Sequence, residues 1–176
     1  MLSDIEKKQI LYNHLKLGRQ SSDFRHRIKP FLESIAAQER FVPETARRLA
    51  DPVFTKDLTL NAYHLGRFVQ FQEQFLSEVL RGLDQHSKAA LALIYMRNDQ
   101  LQSPVCLETS EENAIERLGS NIGGCVTALE ALNGSLVLLS HASDDSVWRF
   151  KHPTIGDAYA GILAQSSELL GIYLQG

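Results

Sequence analysis

The sequence predicts a mainly α chain with one small β-hairpin near its C-terminal end. Three observations carry this. Apolar residues recur at helical spacing along most of the chain up to about Leu132. The run Ala89 to Met96 is nearly all apolar but far shorter than a membrane span, which suits a deeply buried helix. Two strand-like runs, SLVLLS at 135–140 and VWRFK at 147–151, flank the turn formers Ala142-Ser143-Asp144-Asp145.

The first predicted helix runs from Asp4 to about Gly18, with Ile10, Leu11, His14 and Leu15 on one face and Gly18 as its stop. A second covers roughly Phe24 to Gln38. Phe24, Ile28, Phe31, Leu32 and Ile35 share its buried side, and Pro30 either starts the regular helix or kinks it. A short helix follows at 42–49, with Pro43 in its first turn and Asp51-Pro52 as its end. Residues 51–63 read as a connection. A long amphipathic helix from about Asn61 to Leu83 comes next, carrying Leu65, Phe68, Val69, Leu76, Val79, Leu80 and Leu83.

Beyond Asp84 the rhythm changes. The apolar helix spans Ser87 to Arg97, and a polar link containing Pro104 leads to a helix near Glu111 to Leu118. Gly119-Ser120-Asn121-Ile122-Gly123-Gly124 is a turn by its glycines. A helix at 125–132 precedes the hairpin. Pro153 and Thr154 open another, with Ile155, Tyr159, Ile162 and Leu163 on one face, and a last short helix is expected at 167–174. Three helices followed by a two-stranded wing is the order of a winged helix. The predicted organisation is a helical subdomain over 1–60, a connecting helix over 61–83 and a winged-helix domain over 84–176.

Composition narrows the function. Of 176 residues, 44% are hydrophobic, enough for a real core, and the net charge is −3. Binding nucleic acid through phosphates calls for a basic surface. The helix before the wing has no Lys or Arg, only Glu130, and the wing tip carries Asp144 and Asp145. DNA reading is therefore disfavoured. The N-terminus is charged and lacks the apolar core of a signal peptide, so the expected location is the cytoplasm, with no membrane partner. Cys106 and Cys125 form neither a CxxC pair nor a zinc spacing and read as reduced thiols.

No motif marks a complete enzyme. The histidines (His14, His26, His64, His86, His141, His152) are scattered, there is no HExxH, and no metal site is expected. There is no GxSxG nucleophile. Gly119 to Gly124 satisfies GxxxxG, but Cys125 and Val126 stand where a P-loop needs Lys and Ser or Thr, and a helix precedes it rather than a strand. The basic clusters Arg25-His26-Arg27 with Lys29, and Arg47-Arg48, suit either a solvated helix face or contact with phosphate or an acidic partner.

From Trp148 to Ala158 the chain reads WRFKHPTIGDA. This stretch resembles the C-terminal winged-helix motif of STAND-class NTPases. In plant disease-resistance members a Met-His-Asp motif is followed by a helix carrying an Asp five residues after the His. His152 takes the His place and Asp157 the Asp on the helix, while Pro153 stands at the third motif position. Bacterial members, the novel STAND NTPases, are similar also at Ile10 to Leu15 and at Phe41 to Leu49, so the resemblance spans nearly the whole chain.

The resemblance implies a helical lid (1–60) and winged helix that close over ADP or ATP. It places the nucleotide's Mg²⁺ on a P-loop ATPase domain of the same parent chain, which would be this segment's main partner. His152 would sense the β-phosphate and Pro43 would pack near the adenine. The segment would not be an enzyme by itself. It would couple nucleotide state to assembly, with a homo-oligomer on activation, and the family analogy extends to bacterial antiphage defence. The alternatives are a stand-alone winged-helix DNA-binding regulator and a protein-interaction adaptor.

Overall fold

The computed structural model describes residues 1–165 and Gly171; the helix expected at 167–174 lies outside the described residues. The fold is mainly helical with a small three-stranded antiparallel sheet. The chain divides into two compact units, Met1–Val79 and Leu80–Gly176.

The first unit is built from short helices: α1 (Asp4–Leu17), α2 (Ser22–Ile28), α3 (Leu32–Ala36), α4 (Pro43–Leu49), α5 (Pro52–Thr55), α6 (Ala62–Gln70) and most of α7 (Gln72–Arg81). Local chemistry sets nearly every start. Ser3 and Glu6 form a reciprocal capping box at α1, and Ser21, Asp51 and Asn61 cap α2, α5 and α6. Pro43 and Pro52 occupy first-turn positions, where a missing N–H costs nothing. The Pro30 ambiguity resolves as a kink. A single 3₁₀ turn, Lys29–Phe31, joins α2 to α3 in place of one regular helix.

α1 packs on α3 and α4. Gly18 permits this approach, because a Cβ there would lie 2.6 Å from the Ala50 carbonyl oxygen. The core is Leu11, Ile28, Ile35, Ala46, Leu49, Leu65, Phe68 and Val69, all nearly or fully buried. Polar groups are buried within it. The Gln20 amide donates to the Leu49 carbonyl at 2.9 Å and to Thr55 Oγ1 at 2.7 Å.

The long helix expected over 61–83 is broken at Phe71, whose backbone (φ −116°, ψ 50°) leaves the helical region. Neither Gly nor Pro causes this. Arg40 Nη1 donates to the Gln70 carbonyl at 3.1 Å. The Gln72 amide donates to Thr45 Oγ1 at 2.8 Å and to the Arg40 carbonyl at 3.2 Å. Arg40 thus satisfies a carbonyl at the break, and Gln72 ties the start of α7 to Arg40 and to α4. α5, inside the stretch expected to be a connection, is a second difference.

The second unit runs α8 (Gln85–Met96), β1 (Leu101–Ser103), α9 (Thr109–Arg117), α10 (Ile122–Leu132), β2 (Val137–Ala142), β3 (Asp145–Phe150) and α11 (Pro153–Ala164). This is a winged helix, with β1 as a third strand that the sequence did not reveal. The sheet order is β1-β3-β2, with Leu101 opposite Trp148 and Val137 opposite Phe150. α8 is its centre. Ala89 through Ile94 are 0–1% exposed, and α8 packs on α9, α10 and β3. Each fully buried Leu or Ile there contributes roughly 1.5–3 kcal/mol.

The end of α8 is tied to the last strand. Asn98 and Asp99 adopt left-handed backbone, which their short polar side chains tolerate. The Asp99 N–H closes on the Ile94 carbonyl, and its carboxylate accepts from the Phe150 N–H. Arg97 pairs through its guanidinium with Glu111 at the start of α9. No helix among the described residues is long and apolar enough to cross a membrane.

Candidate functional site

His152 lies where β3 gives way to α11. The Lys151 N–H is held by the Leu136 carbonyl at 2.9 Å, and His152 takes an extended backbone (φ −145°, ψ 144°) as the N-cap of α11. Pro153 fills the first helical position. The Thr154 N–H donates to His152 Nδ1 at 3.2 Å, with Thr154 Oγ1 2.8 Å from the same nitrogen. An amide can only donate, so Nδ1 accepts and the neutral ring carries its proton on Nε2. Nε2 has no hydrogen-bond partner among the described residues.

This geometry narrows what the α11 N-terminus can do. Pro153 has no N–H, the Thr154 N–H is taken by the imidazole, and the Ile155 N–H closes on the His152 carbonyl at 3.0 Å. No open cradle of backbone amides remains. An anion here would meet one imidazole N–H and the positive end of the helix dipole. The two other residues of the motif part company. Gly156 is structural, since a Cβ would stand 3.1 Å from the Phe150 ring, so the glycine lets α11 settle on β3. Asp157 is exposed one turn into the helix.

Pro43 belongs to the first unit, exposed at the start of α4. The turns that follow hold a compact charge cluster. Glu44 accepts from Arg47 at 2.7 and 2.8 Å and from Arg48 Nε at 3.1 Å. Both guanidiniums lie over the Phe54 ring, at 5.5 and 5.8 Å from its centroid. Arg48 is only 4% exposed, and burial lowers its pKa against the opposing pull of Glu44. Arg47-Arg48 is therefore an internally paired element of α4. The other basic cluster stays at the surface: Arg25, His26, Arg27 and Lys29 are exposed, with Arg27 3.6 Å from Asp23.

Of the glycine-rich stretch expected to be a turn, only Gly119 to Asn121 link α9 to α10; Ile122, Gly123 and Gly124 form the first turn of α10, which the Asn121 cap starts three residues earlier than expected. Gly119 supplies a left-handed residue (φ +81°), and Asn121 Oδ1 accepts from the Gly124 N–H at 2.8 Å. His86 covers Gly124 so closely that a Cβ would lie 2.2 Å from Nδ1. That nitrogen is 2.8 Å from Ser120 Oγ, which in turn is 3.5 Å from Cys125 Sγ. Burial pushes the Cys125 thiol pKa up, so it is a poor nucleophile. This His–Ser–Cys contact was not legible in the sequence, because His86 lies 34 residues from Ser120.

The exposed side of α10 consists of Ile122, Gly123, Thr127, Glu130 and Ala131, and the wing tip exposes Asp144 and Asp145. Neither surface offers a cation to phosphate. No group of three His, Cys, Asp or Glu side chains among the described residues could hold a metal ion. No protein-family model, curated protein or solved structure matches the chain.

Proposed function

We propose that the chain is the helical-lid and winged-helix segment of a STAND-class signal-transducing ATPase. In this reading it works with a P-loop domain that binds ADP or ATP with Mg²⁺, and it couples the nucleotide state to assembly in bacterial antiphage defence. The observation that carries the reading is His152. It caps α11 through Nδ1 and so presents a protonated Nε2 beside a helix N-terminus. That is the donor a β-phosphate contact needs. Pro43 is the proposed neighbour of the adenine. The cation-free face of α10 favours this regulatory role over DNA reading.

The test separates capping from sensing. In the assembled ATPase, His152→Ala loses both the cap and the Nε2 donor. His152→Asp keeps a good N-cap but puts a carboxylate where the donor stood. The expected result is that both variants release ADP at least about tenfold faster, a size set by one hydrogen bond to a charged group. Only His152→Ala should lose about 1 kcal/mol of stability. ADP release unchanged in both variants would sink the sensor role. An independent check is the mass of the native product in its source cells. A species far above 19.7 kDa carrying a GxxxxGK[ST] loop is expected, and one near 19.7 kDa would end the ATPase reading.

A further inference from the structure

A cavity of about 420 Å³ opens within the second unit, bounded by the end of α7, the first turn of α8, the end of α9 and one side of α11. Its volume lies within the roughly 300–1,000 Å³ usual for small-molecule sites. Leu80, Leu118, Tyr159 and Ile162 form apolar walls. Tyr159, Ile162 and Gln165 recur every three residues and so line the same side of α11.

The charged groups among the described lining residues are of one sign. Arg81 and Lys88 both line it and both are exposed. Neither makes an ion pair among the described residues. Arg81 is oriented, because its Nη2 donates to Gln165 Oε1 at 2.7 Å. No carboxylate is among the described lining residues. An apolar chamber with two unneutralised cations at its edge complements a molecule with an apolar body and one anionic end. A guanidinium with donors to spare suits a carboxylate.

We propose that this cavity binds an amphipathic carboxylate, with its hydrocarbon body against Leu80, Leu118, Tyr159 and Ile162 and its carboxylate between Arg81 and Lys88. A free phosphate or pyrophosphate would leave the apolar walls unfilled. A neutral alcohol of the same length would leave both cations unmatched. The proposal does not depend on the nucleotide reading of His152.

The experiment is calorimetric titration of the full chain with decanoate, decan-1-ol and decyltrimethylammonium, each below its micelle concentration. Decanoate should bind at one saturable site, the alcohol about tenfold more weakly or less, and the cation not at all. The double variant Arg81→Gln/Lys88→Gln changes two surface side chains and should fold normally. It should bind decanoate at least about tenfold more weakly and bring it level with the alcohol. Ile162→Trp, which fills the chamber, should abolish binding of both. Absence of saturable decanoate binding would overturn the proposal. So would equal affinity for all three probes, or affinity unchanged in the double variant.

Discussion

Residues 1–79 and residues 80–176 close their cores around different kinds of helix. In the second unit one helix, α8, is apolar on every side from Ala89 to Ile94 and packs on α9, α10 and β3. In the first unit no helix has that character. Short pieces are stitched by buried and half-buried polar groups: Gln20 on Leu49 and Thr55, Gln72 on Thr45. Burial of hydrocarbon is non-directional, whereas a buried amide or guanidinium must be met in a particular geometry. The second unit should therefore draw stability from volume filled, and the first from contacts kept.

The largest expected effect tests the volume side. Ile94→Ala deletes atoms from the fully buried face of α8 and should cost about 4 kcal/mol, within the range for cavities in rigid cores. Amide exchange should accelerate across α8, α9 and α10 while α1, α3 and α4 keep their protection. Equal acceleration in both units would show that they unfold as one block and would erase the contrast.

Next come two glycines of close approach. Gly18→Ala drives a methyl into the Ala50 backbone, which cannot yield, and should cost about 3 kcal/mol. Gly124→Ala meets instead the ring of His86, an exposed side chain that can swing away, and should cost about 1 kcal/mol. Adding His86→Ala should recover most of the Gly124→Ala loss in chemical denaturation. A Gly124→Ala penalty equal to that of Gly18→Ala would mean that His86 is fixed.

The smallest effect is electrostatic and belongs to the second unit. Hydrogen bonding from Arg97 holds the Glu111 carboxyl below the usual carboxylate range, against the opposing effect of burial. A depressed folded pKa means that the pair's contribution is fully present above the ordinary carboxylate value. It is lost as pH falls through the lower folded value. Glu111→Gln should lower the melting temperature at neutral pH and flatten its decline on acidification. A decline as steep as that of the parent protein would assign the acid sensitivity to other carboxylates.

These comparisons also mark what the sequence could convey. α8 is visible because six consecutive small or apolar residues, Ala89 to Ile94, admit few environments other than the interior. The hairpin is visible because turn formers separate two β-rich runs. β1 is invisible because Leu101-Gln102-Ser103 is too short to show alternation and becomes a strand only through Trp148 and its neighbours. The break at Phe71 is invisible for a similar reason: Arg40, which meets the Gln70 carbonyl there, lies 30 residues away. α5 was masked by its own start signal, since Asp51-Pro52 both ends one helix and opens the next. At the candidate site, Pro153 announced the start of α11. The capture of Nδ1 by the Thr154 N–H, which fixes the tautomer, depends on the ring's orientation, which residue spacing does not encode.

The bond from the Phe150 N–H to Asp99 spans 51 residues and joins the end of α8 to β3. On a ribosome, α8 emerges well before its capping strand. Until Phe150 clears the exit tunnel, Leu101 has no strand to pair with, and one flank of the most apolar helix in the chain lies open to other nascent chains. The wing therefore acts during synthesis as a late closure, and a ribosome stalled between β1 and β3 would hold the chain in its most aggregation-prone form.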